Sequence, residues 1–294
     1  MADDDRKGLF LGLVGVTIFG LTLPATRLAV EGLDPYVIAL GRGIVAAAIA
    51  ALALRLSGES LPPRSTLVPL VICAAGVVLG FPLFATLAMQ YVPASHGGVV
   101  LAILPLATAV AGVLVAGERP SPGFWLCGVL GSVAVLAFTL AADGGGSGLH
   151  LADLLLVAAV ISAGVGYAYG GVLARTLGGW QTISWALVIS TPVLALLLIV
   201  LQRPVNWSAP AAVWAGFLYL AIASQFFGFF AWYRGLALGG VAKVGQTQLL
   251  QPFITLAASA LLLSETITPL EIGFALVVVG IVAAGRRMRV DRIS

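Results

Sequence analysis

Charge is what this sequence has least of. Only 9% of its 294 residues are Asp, Glu, Lys or Arg, against roughly 25% in a typical soluble domain. Hydrophobic residues make up 60%, and a soluble globule of this size could not hide them all beneath a polar surface. The composition therefore excludes an ordinary cytosolic enzyme, a disordered protein and a nucleic-acid-binding protein.

Cysteine and histidine are also scarce, with two residues of each. Cys73 and Cys127 both lie in apolar runs and form neither a zinc-ligand spacing nor a disulfide framework. The sequence lacks the HExxH motif, the paired acids and the Ser/His or Ser/Lys arrangement of intramembrane enzymes, and it has no nucleotide-binding loop. We therefore expect no catalytic residue, no metal site and no cofactor.

What the sequence has instead is long apolar runs. A membrane-spanning helix needs about 20 mostly apolar residues, and ten such segments follow one another along the chain. They are apolar all round rather than alternating, which favours helices over barrel strands. They cover residues 8–29, 36–56, 67–89, 96–116, 123–141, 152–174, 182–201, 210–233, 240–263 and 269–286. We expect an all-α integral membrane protein with ten transmembrane helices and the lipid bilayer as its partner.

The distribution of basic residues predicts the orientation. If the amino terminus is cytoplasmic, Arg27 and Arg203 lie outside and Arg42 lies within the second segment, while the other Lys and Arg residues lie on the cytoplasmic side. The positive-inside rule favours this arrangement and the count of ten. Both termini are then cytoplasmic. The acidic leader and long first segment indicate a retained span rather than a signal peptide.

An internal repeat appears when the sequence is shifted against itself by half its length, 147 residues. Seven identities fall between residues 98 and 122, at helical spacing: Gly98/Gly245, Pro105/Pro252, Thr108/Thr255, Ala111/Ala258, Leu114/Leu261, Glu118/Glu265 and Pro122/Pro269. We predict a first repeat at 1–141, a Gly-rich linker at 142–151 and a second repeat at 152–294. Five segments per repeat give the halves opposite topology, as in secondary transporters with a substrate site at mid-membrane.

The repeats also carry a family resemblance. In each copy a glutamate follows a central helix proline by thirteen residues, in "ILPLATAVAGVLVAGERPSPGFWLCG" and "LLQPFITLAASALLLSETITPLEIG". The chain resembles the EamA-type branch of the drug/metabolite transporter superfamily, although Phe19-Gly20 stands where that family often has Trp-Gly. The resemblance implies a ten-helix carrier of the inner (plasma) membrane with a central cavity. Members often export amino acids, including aromatic ones, and others carry further metabolites or quaternary-amine drugs.

The ninth segment has the densest polar set. Gln248, Gln251, Thr255 and Ser259 recur every three or four residues, with Gln246 almost opposite. They either line the substrate cavity or hold the bundle together by interhelical hydrogen bonds. We rank Gln246 and Gln248 above Gln251 as substrate-binding residues.

Further candidates lie on other segments. Arg42 either binds a substrate carboxylate or has a structural role, reaching toward the interface or bonding helix-end carbonyls. His96 is either a surface or capping residue or a functional one. Tyr167, Trp185 and Gln225 either contact a planar substrate or belong to the packing.

Transport by rocking of two equivalent hairpins, segments 3–4 and 8–9, is the predicted mechanism. Pro82, Pro105 and Pro252 interrupt these helices and are expected to act as hinges. No acidic residue lies deep in a segment, so we expect facilitated diffusion, exchange or proton coupling through a group such as His96 rather than a carboxylate relay. We expect Glu118 and Glu265 to be structural joints that accept hydrogen bonds from the next helix. A monomer suffices, and a channel stays open as an alternative.

Overall fold

The computed structural model describes residues 2–116, 118–142, 150–286 and 290–292, so most of the predicted linker lies outside the described residues. We number the helical stretches α1 to α10 in chain order. The first five are α1 (Ala2–Gly20 and Thr22–Val30), α2 (Pro35–Leu56), α3 (Arg64–Thr66, Leu67–Ala74, Ala75–Gly80 and Phe81–Ala88), α4 (Ala94–Val100, Leu101–Ile103 and Leu104–Ala116) and α5 (Pro122–Ala142). The others are α6 (Leu151–Leu173), α7 (Gly179–Leu201), α8 (Ala211–Leu218, Tyr219–Phe227 and Gly228–Gly239), α9 (Val241–Gly245, Gln246–Leu250 and Gln251–Leu263) and α10 (Pro269–Arg286).

Seven of these stretches, α1 to α4 and α6 to α8, are long and apolar enough to cross a bilayer within the described residues. Their outward faces carry large apolar side chains such as Leu56, Val68 and Ile199, each more than two-thirds exposed. The chain is therefore a multi-pass membrane protein. The helices α5, α9 and α10 occupy the three other predicted segments, and the count of ten crossings and the cytoplasmic termini stay predictions.

Two strands of three residues depart from the expected all-α architecture. Glu118–Pro120 pairs antiparallel with Val290–Arg292, so that Glu118 lies opposite Arg292. The pairing places the end of α4 and the carboxy-terminal tail at the same end of the bundle.

The helices of the two halves interlock. In the described part of the chain α1 packs along α8, α2 along α7, and α3 and α4 along α6. Small residues permit the closest approaches: a Cβ on Gly8 would lie 2.8 Å from the backbone nitrogen of Gly239, and one on Gly76 would lie 2.5 Å from the carbonyl oxygen of Ser162. Such contacts bring helix backbones together without the hydrophobic driving force that operates in water.

Irregular backbone recurs at the repeat distance. A π-helix interrupts α3 at Ala75–Gly80 and α8 at Tyr219–Phe227. A 3-10 turn interrupts α4 at Leu101–Ile103 and α9 at Gln246–Leu250. Shifted by the 147 residues of the sequence repeat, the first member of each pair falls within the second. π-Helices occur often at functional sites, so the shared pattern draws attention to the region between these four helices.

The three predicted hinge prolines lie beside these interruptions. Pro82, Pro105 and Pro252 each occupy the second position of an α-helix that directly follows a π or 3-10 turn. Proline lacks the backbone N–H and its ring clashes with the carbonyl four residues earlier, so the regular ladder is broken at these points. The hinge role itself stays a prediction.

Candidate functional site

A polar cavity lies in the middle of the bundle, where α1, α2, α3, α6, α8 and α9 meet. It is lined by Phe19, Thr22, Arg42, Val77, Phe81, Tyr167, Ser224, Gln225, Phe229 and Gln251. The centre of a water molecule can move over only about 10 Å³ within it, which is room for about one water. The cavity is therefore almost closed in this conformation.

Arg42 brings a positive charge to this cavity. Its side chain is only 2% exposed. One terminal nitrogen, Nη2, donates to the Ser224 hydroxyl oxygen at 3.0 Å, and Nε has no hydrogen-bond partner. Within the described residues no carboxylate lies within 4 Å of the guanidinium. Burial of an uncompensated charge is costly, and the side chain extends neither to the interface nor to a helix-end carbonyl.

Thr22 and Gln225 add further polar groups to the cavity lining, beside Arg42 and Ser224. The hydroxyls of Thr22 and Ser224 lie 2.9 Å apart and share a hydrogen bond, which fixes the serine that Arg42 contacts. Gln225 is 1% exposed, and its Nε2 donates to the Val77 carbonyl oxygen at 3.0 Å. Both residues of that last bond lie in π-helices, so the bond ties the irregular segment of α3 to that of α8.

Aromatic side chains also line the cavity. The rings of Phe19, Tyr167 and Phe229 lie with centroids 5.0 to 6.1 Å apart. Trp232 backs them, 5.2 Å from the Tyr167 ring, and is fully buried. Of the aromatic candidates from the sequence, Tyr167 lines the cavity. Trp185 is half-buried, packs against the apolar core and does not line it.

The structure places the glutamines of α9 in a different order of closeness to the cavity from the ranking made on the sequence. Gln246, Gln248 and Gln251 are all buried, and each has an Oε1 atom without a hydrogen-bond partner. Only Gln251 lines the central cavity. Gln248 instead donates to the Thr108 hydroxyl at 3.3 Å. Gln248 therefore directs its amide toward α4, whereas Gln251 reaches the cavity.

His96 lies at the start of α4 and is not part of the central cavity's lining. Its Nε2 is 2.8 Å from the Asp153 Oδ1 atom at the start of α6. The side chains are 12% and 3% exposed. The His96 ring also lies 5.0 Å from that of Phe138. His96 thus forms part of a separate polar cluster rather than of the central site.

Glu265 belongs to the same cluster. Its two carboxylate oxygens accept from the backbone amides of Ala94 and Ser95 at 2.9 and 3.0 Å. The expectation of an amide-capping glutamate thus holds, but the amides belong to α4 in the other half rather than to the next helix. The side chain of Glu118, its repeat equivalent, lies outside the described part of the structure.

Sequence reasoning missed several cavity residues. Phe19, Thr22, Ser224 and Phe229 line it alongside the predicted Arg42, Tyr167 and Gln225. The available signal was the pair Ser224-Gln225, two adjacent polar residues in the middle of an apolar segment. Thr22 gave no comparable signal, because a single threonine in an apolar helix is ordinary packing, and Phe19 was noted only as a departure from a Trp-Gly pair, not as a cavity residue.

Known proteins resemble this chain over nearly its whole length. The model of the EamA-like transporter family matches it twice, over residues 6–140 and 150–285. A Bacillus subtilis (strain 168) protein, "Uncharacterized transporter YdeK", is 45% identical over 289 residues, covering 96% of this chain and 97% of that protein. A "Probable terminal-alkyne amino-acid exporter" of Streptantibioticus cattleyicolor is 25% identical over 284 residues, covering 96% of this chain and 94% of that protein.

A solved crystal structure shares the fold. It superposes with a TM-score of 0.69 over 95% of this chain and 97% of that chain, at 18% sequence identity. At this level of identity the likeness concerns the fold alone.

Proposed function

This chain belongs to the EamA-like transporter family, and we propose that it exports small carboxylate-bearing metabolites, amino acids including aromatic ones among them, across the inner (plasma) membrane. The substrate binds in the central cavity between the two halves, and transport proceeds by alternating access. The buried guanidinium of Arg42 carries this proposal. The relative described as a probable amino-acid exporter lends weaker support, because only 25% of its residues are identical.

Arg42 is suited to a carboxylate for two reasons. Its charge has no carboxylate partner within the described residues, and its Nε donor is free. The planar guanidinium fork matches the geometry of a carboxylate, and such charge-assisted bonds are stronger than neutral ones. An anionic substrate group would supply the missing counter-charge in a buried site.

The other walls suit the remainder of an amino acid. The free Gln251 Oε1 is an acceptor for an ammonium group, and the faces of Phe19, Tyr167 and Phe229 offer apolar contact or aromatic stacking. A quaternary amine without an acidic group would meet the unpaired charge of Arg42 instead. The geometry therefore favours a zwitterion over the drug-like alternative.

Alternating access requires the cavity to enlarge, because room for about one water is far below the 300–1,000 Å³ typical of ligand pockets. The π and 3-10 interruptions supply flexible points in α3, α4, α8 and α9, the two hairpins predicted to rock. Bending there moves one hairpin away from the cavity at a time. The hydrogen bond from Gln225 to Val77 couples the two hairpins at their irregular segments.

Counterflow in proteoliposomes tests the proposal. Vesicles preloaded with unlabelled amino acids are exposed to one labelled amino acid at a time, followed by its 2-hydroxy acid and its amide. We expect uptake of amino acids and loss of uptake when the carboxylate is converted to an amide. Arg42→Gln should weaken substrate binding by about 10- to 100-fold, the usual worth of a hydrogen-bonded charge.

Arg203→Gln is the matched control. Arg203 is an exposed arginine that lies over the Tyr36 ring, 5.1 Å from its centroid, and it does not line the cavity. It should leave counterflow unchanged. Equal uptake of acid and amide, or wild-type affinity in Arg42→Gln, would overturn the carboxylate assignment. Single-channel currents in a planar bilayer would instead favour a channel.

A further inference from the structure

The second polar cluster joins the two halves of the chain at one end of the bundle. His96 and the amides of Ala94 and Ser95 belong to the first turn of α4 in the first half. Asp153 and Glu265 come from α6 and from the end of α9 in the second half. Two separate contacts therefore hold the start of α4 against the second half, and this end must separate if the cavity is to open toward it.

The cluster borders a second cavity, of about 350 Å³. His96, Glu265 and Glu271 line it together with Pro93, Ser95, Phe138, Thr266, Thr268 and Leu270. It is large enough for several water molecules. Protons from the aqueous phase can therefore reach the His96 ring without crossing the bundle.

The Asp153 carboxylate is held independently of His96. It is the third residue of α6, where the helix dipole favours a negative charge. Its Oδ2 atom accepts from the backbone amide of His150 at 3.2 Å. A proton on His96 therefore adds a full positive charge 2.8 Å from a carboxylate that is already in place.

We infer that His96 and Asp153 form a proton-operated latch: proton binding to His96 closes this end of the transporter, and proton release allows it to open. This inference rests on the transport function proposed above, and it makes the rate of that transport depend on the pH at this end. Under the predicted orientation, this end faces outside. Histidine suits the role because its charge changes near neutral pH.

The other charged groups around His96 are fixed in different ways. From the α9–α10 side, Glu265 accepts two amides of α4, and Glu271 accepts from the amide and hydroxyl of Thr268. From α1, Arg27 donates to the Met89 carbonyl at 2.9 Å, and Glu31 is exposed. From α6, besides Asp153, His150 is exposed at the helix start, and α5 carries no acidic or basic residue.

The latch is tested by distance measurement rather than by transport. Spin labels are placed at the exposed positions 91 and 151, on opposite sides of the contact, as Tyr91→Cys and Leu151→Cys, with Cys73 and Cys127 replaced by alanine. Double electron–electron resonance then gives the distance distribution in nanodiscs at about pH 5.5 and about pH 8.5, on either side of the histidine range. This distance measurement does not require a known substrate, and it does not depend on which way the protein is oriented in the membrane.

We expect one short distance at acidic pH and an added longer one at alkaline pH. Their ratio should change by about fivefold or more, the lower end of typical coupling between linked sites. His96→Gln should abolish the change with pH. His96→Lys, which keeps a positive charge opposite Asp153, should hold the short distance at both pH values.

Glu31→Gln is the matched control, because it changes an exposed titratable residue at the end of α1 that is not part of the His96–Asp153 contact, and it should leave the pH response intact. A pH-independent distance in the wild-type chain, or an unchanged pH response in His96→Gln, would overturn the latch. A pH-dependent distance without amino-acid counterflow would retain the latch and reject the proposed substrate, so the two failures are distinct.

Discussion

The two halves of the chain share their backbone interruptions but bring different side chains to the central cavity. The first-half residues that correspond to Ser224, Gln225 and Gln251, at the repeat distance, are Val77, Val78 and Leu104. Arg42 likewise corresponds to Ile189. Flexible backbone points are needed in both halves if the cavity is to open to both sides. The side chains proposed to bind substrate are needed in only one half, because the two halves share a single cavity.

The largest expected effect comes from giving one half the residue that the other half has at a position where two helices pack closely. Gly76 corresponds to Ala223, so Gly76→Ala copies the second half into the first. The new Cβ would lie 2.5 Å from the Ser162 carbonyl oxygen, so we expect a loss of about 1–3 kcal/mol in stability from overpacking. Thermal unfolding in detergent measures it.

Two controls accompany that variant. Ala223→Gly should change the melting temperature less, since Ala223 is half-buried and accommodates its Cβ. Gly273→Ala should be neutral, because no atom lies within 4 Å of the added Cβ. A neutral Gly76→Ala would show that α3 and α6 can move apart at low cost.

A second variant removes the bond between the irregular segments. Gln225→Val installs the residue type of its counterpart, Val78, and leaves the Val77 carbonyl buried without its donor, at a cost of about 1–3 kcal/mol. Hydrogen exchange measured by mass spectrometry should show faster exchange over residues 75–80. Gln90→Val removes a similar amide-to-carbonyl bond at an exposed site and should leave that exchange unchanged.

A third pair of variants compares the two glutamates that follow a helix proline by thirteen residues, one in each repeat. Glu265→Ala removes two bonds to helix amides, so we expect a loss of about 0.5–2 kcal/mol, as for other helix caps. Glu118→Ala should cost a similar amount if the repeat equivalence extends to this joint. A stable Glu118→Ala variant would confine the capping role to the second half.

The smallest expected effect is that of Gln246, one of the two glutamines that the sequence analysis ranked first as substrate-binding residues. Gln246→Ala should change amino-acid counterflow by no more than about twofold, or under about 0.5 kcal/mol in the transport barrier, because Gln246 does not line the cavity. Gln251→Leu, which copies Leu104, should reduce counterflow more. The reverse order would mean that the cavity reorganises around Gln246 during transport.

The segments, the repeat and the family were readable from the sequence because each depends on local pattern. Apolar runs locate helices wherever about 20 residues must avoid water, and helices long and apolar enough to cross a bilayer occupy seven of the predicted segments. The position of Arg42 within an apolar segment marked it as a costly charge that either binds substrate or has a structural role. Its contact with Ser224, 182 residues away, has no local signature.

The cavity positions that the sequence ordered differently or did not indicate depend on tertiary packing. Gln248 and Gln251 are three residues apart and share a side of the helix in an α-helix or a 3-10 turn, so helical periodicity does not separate them. The packing of neighbouring helices does, and it places Gln251 in the cavity lining and Gln248 against Thr108. Asp153 looked like an ordinary residue at a segment end, yet it is buried because α4 packs against α6 there. Only the fold reveals its pairing with His96.

The nearly closed central cavity has a consequence for the cell's energy supply. A chain of hydrogen-bonded waters conducts protons, and a space that holds about one water cannot form such a chain across the bundle. Within the described residues, the central cavity of this conformation therefore offers no continuous water path, so protons do not leak across the membrane through it.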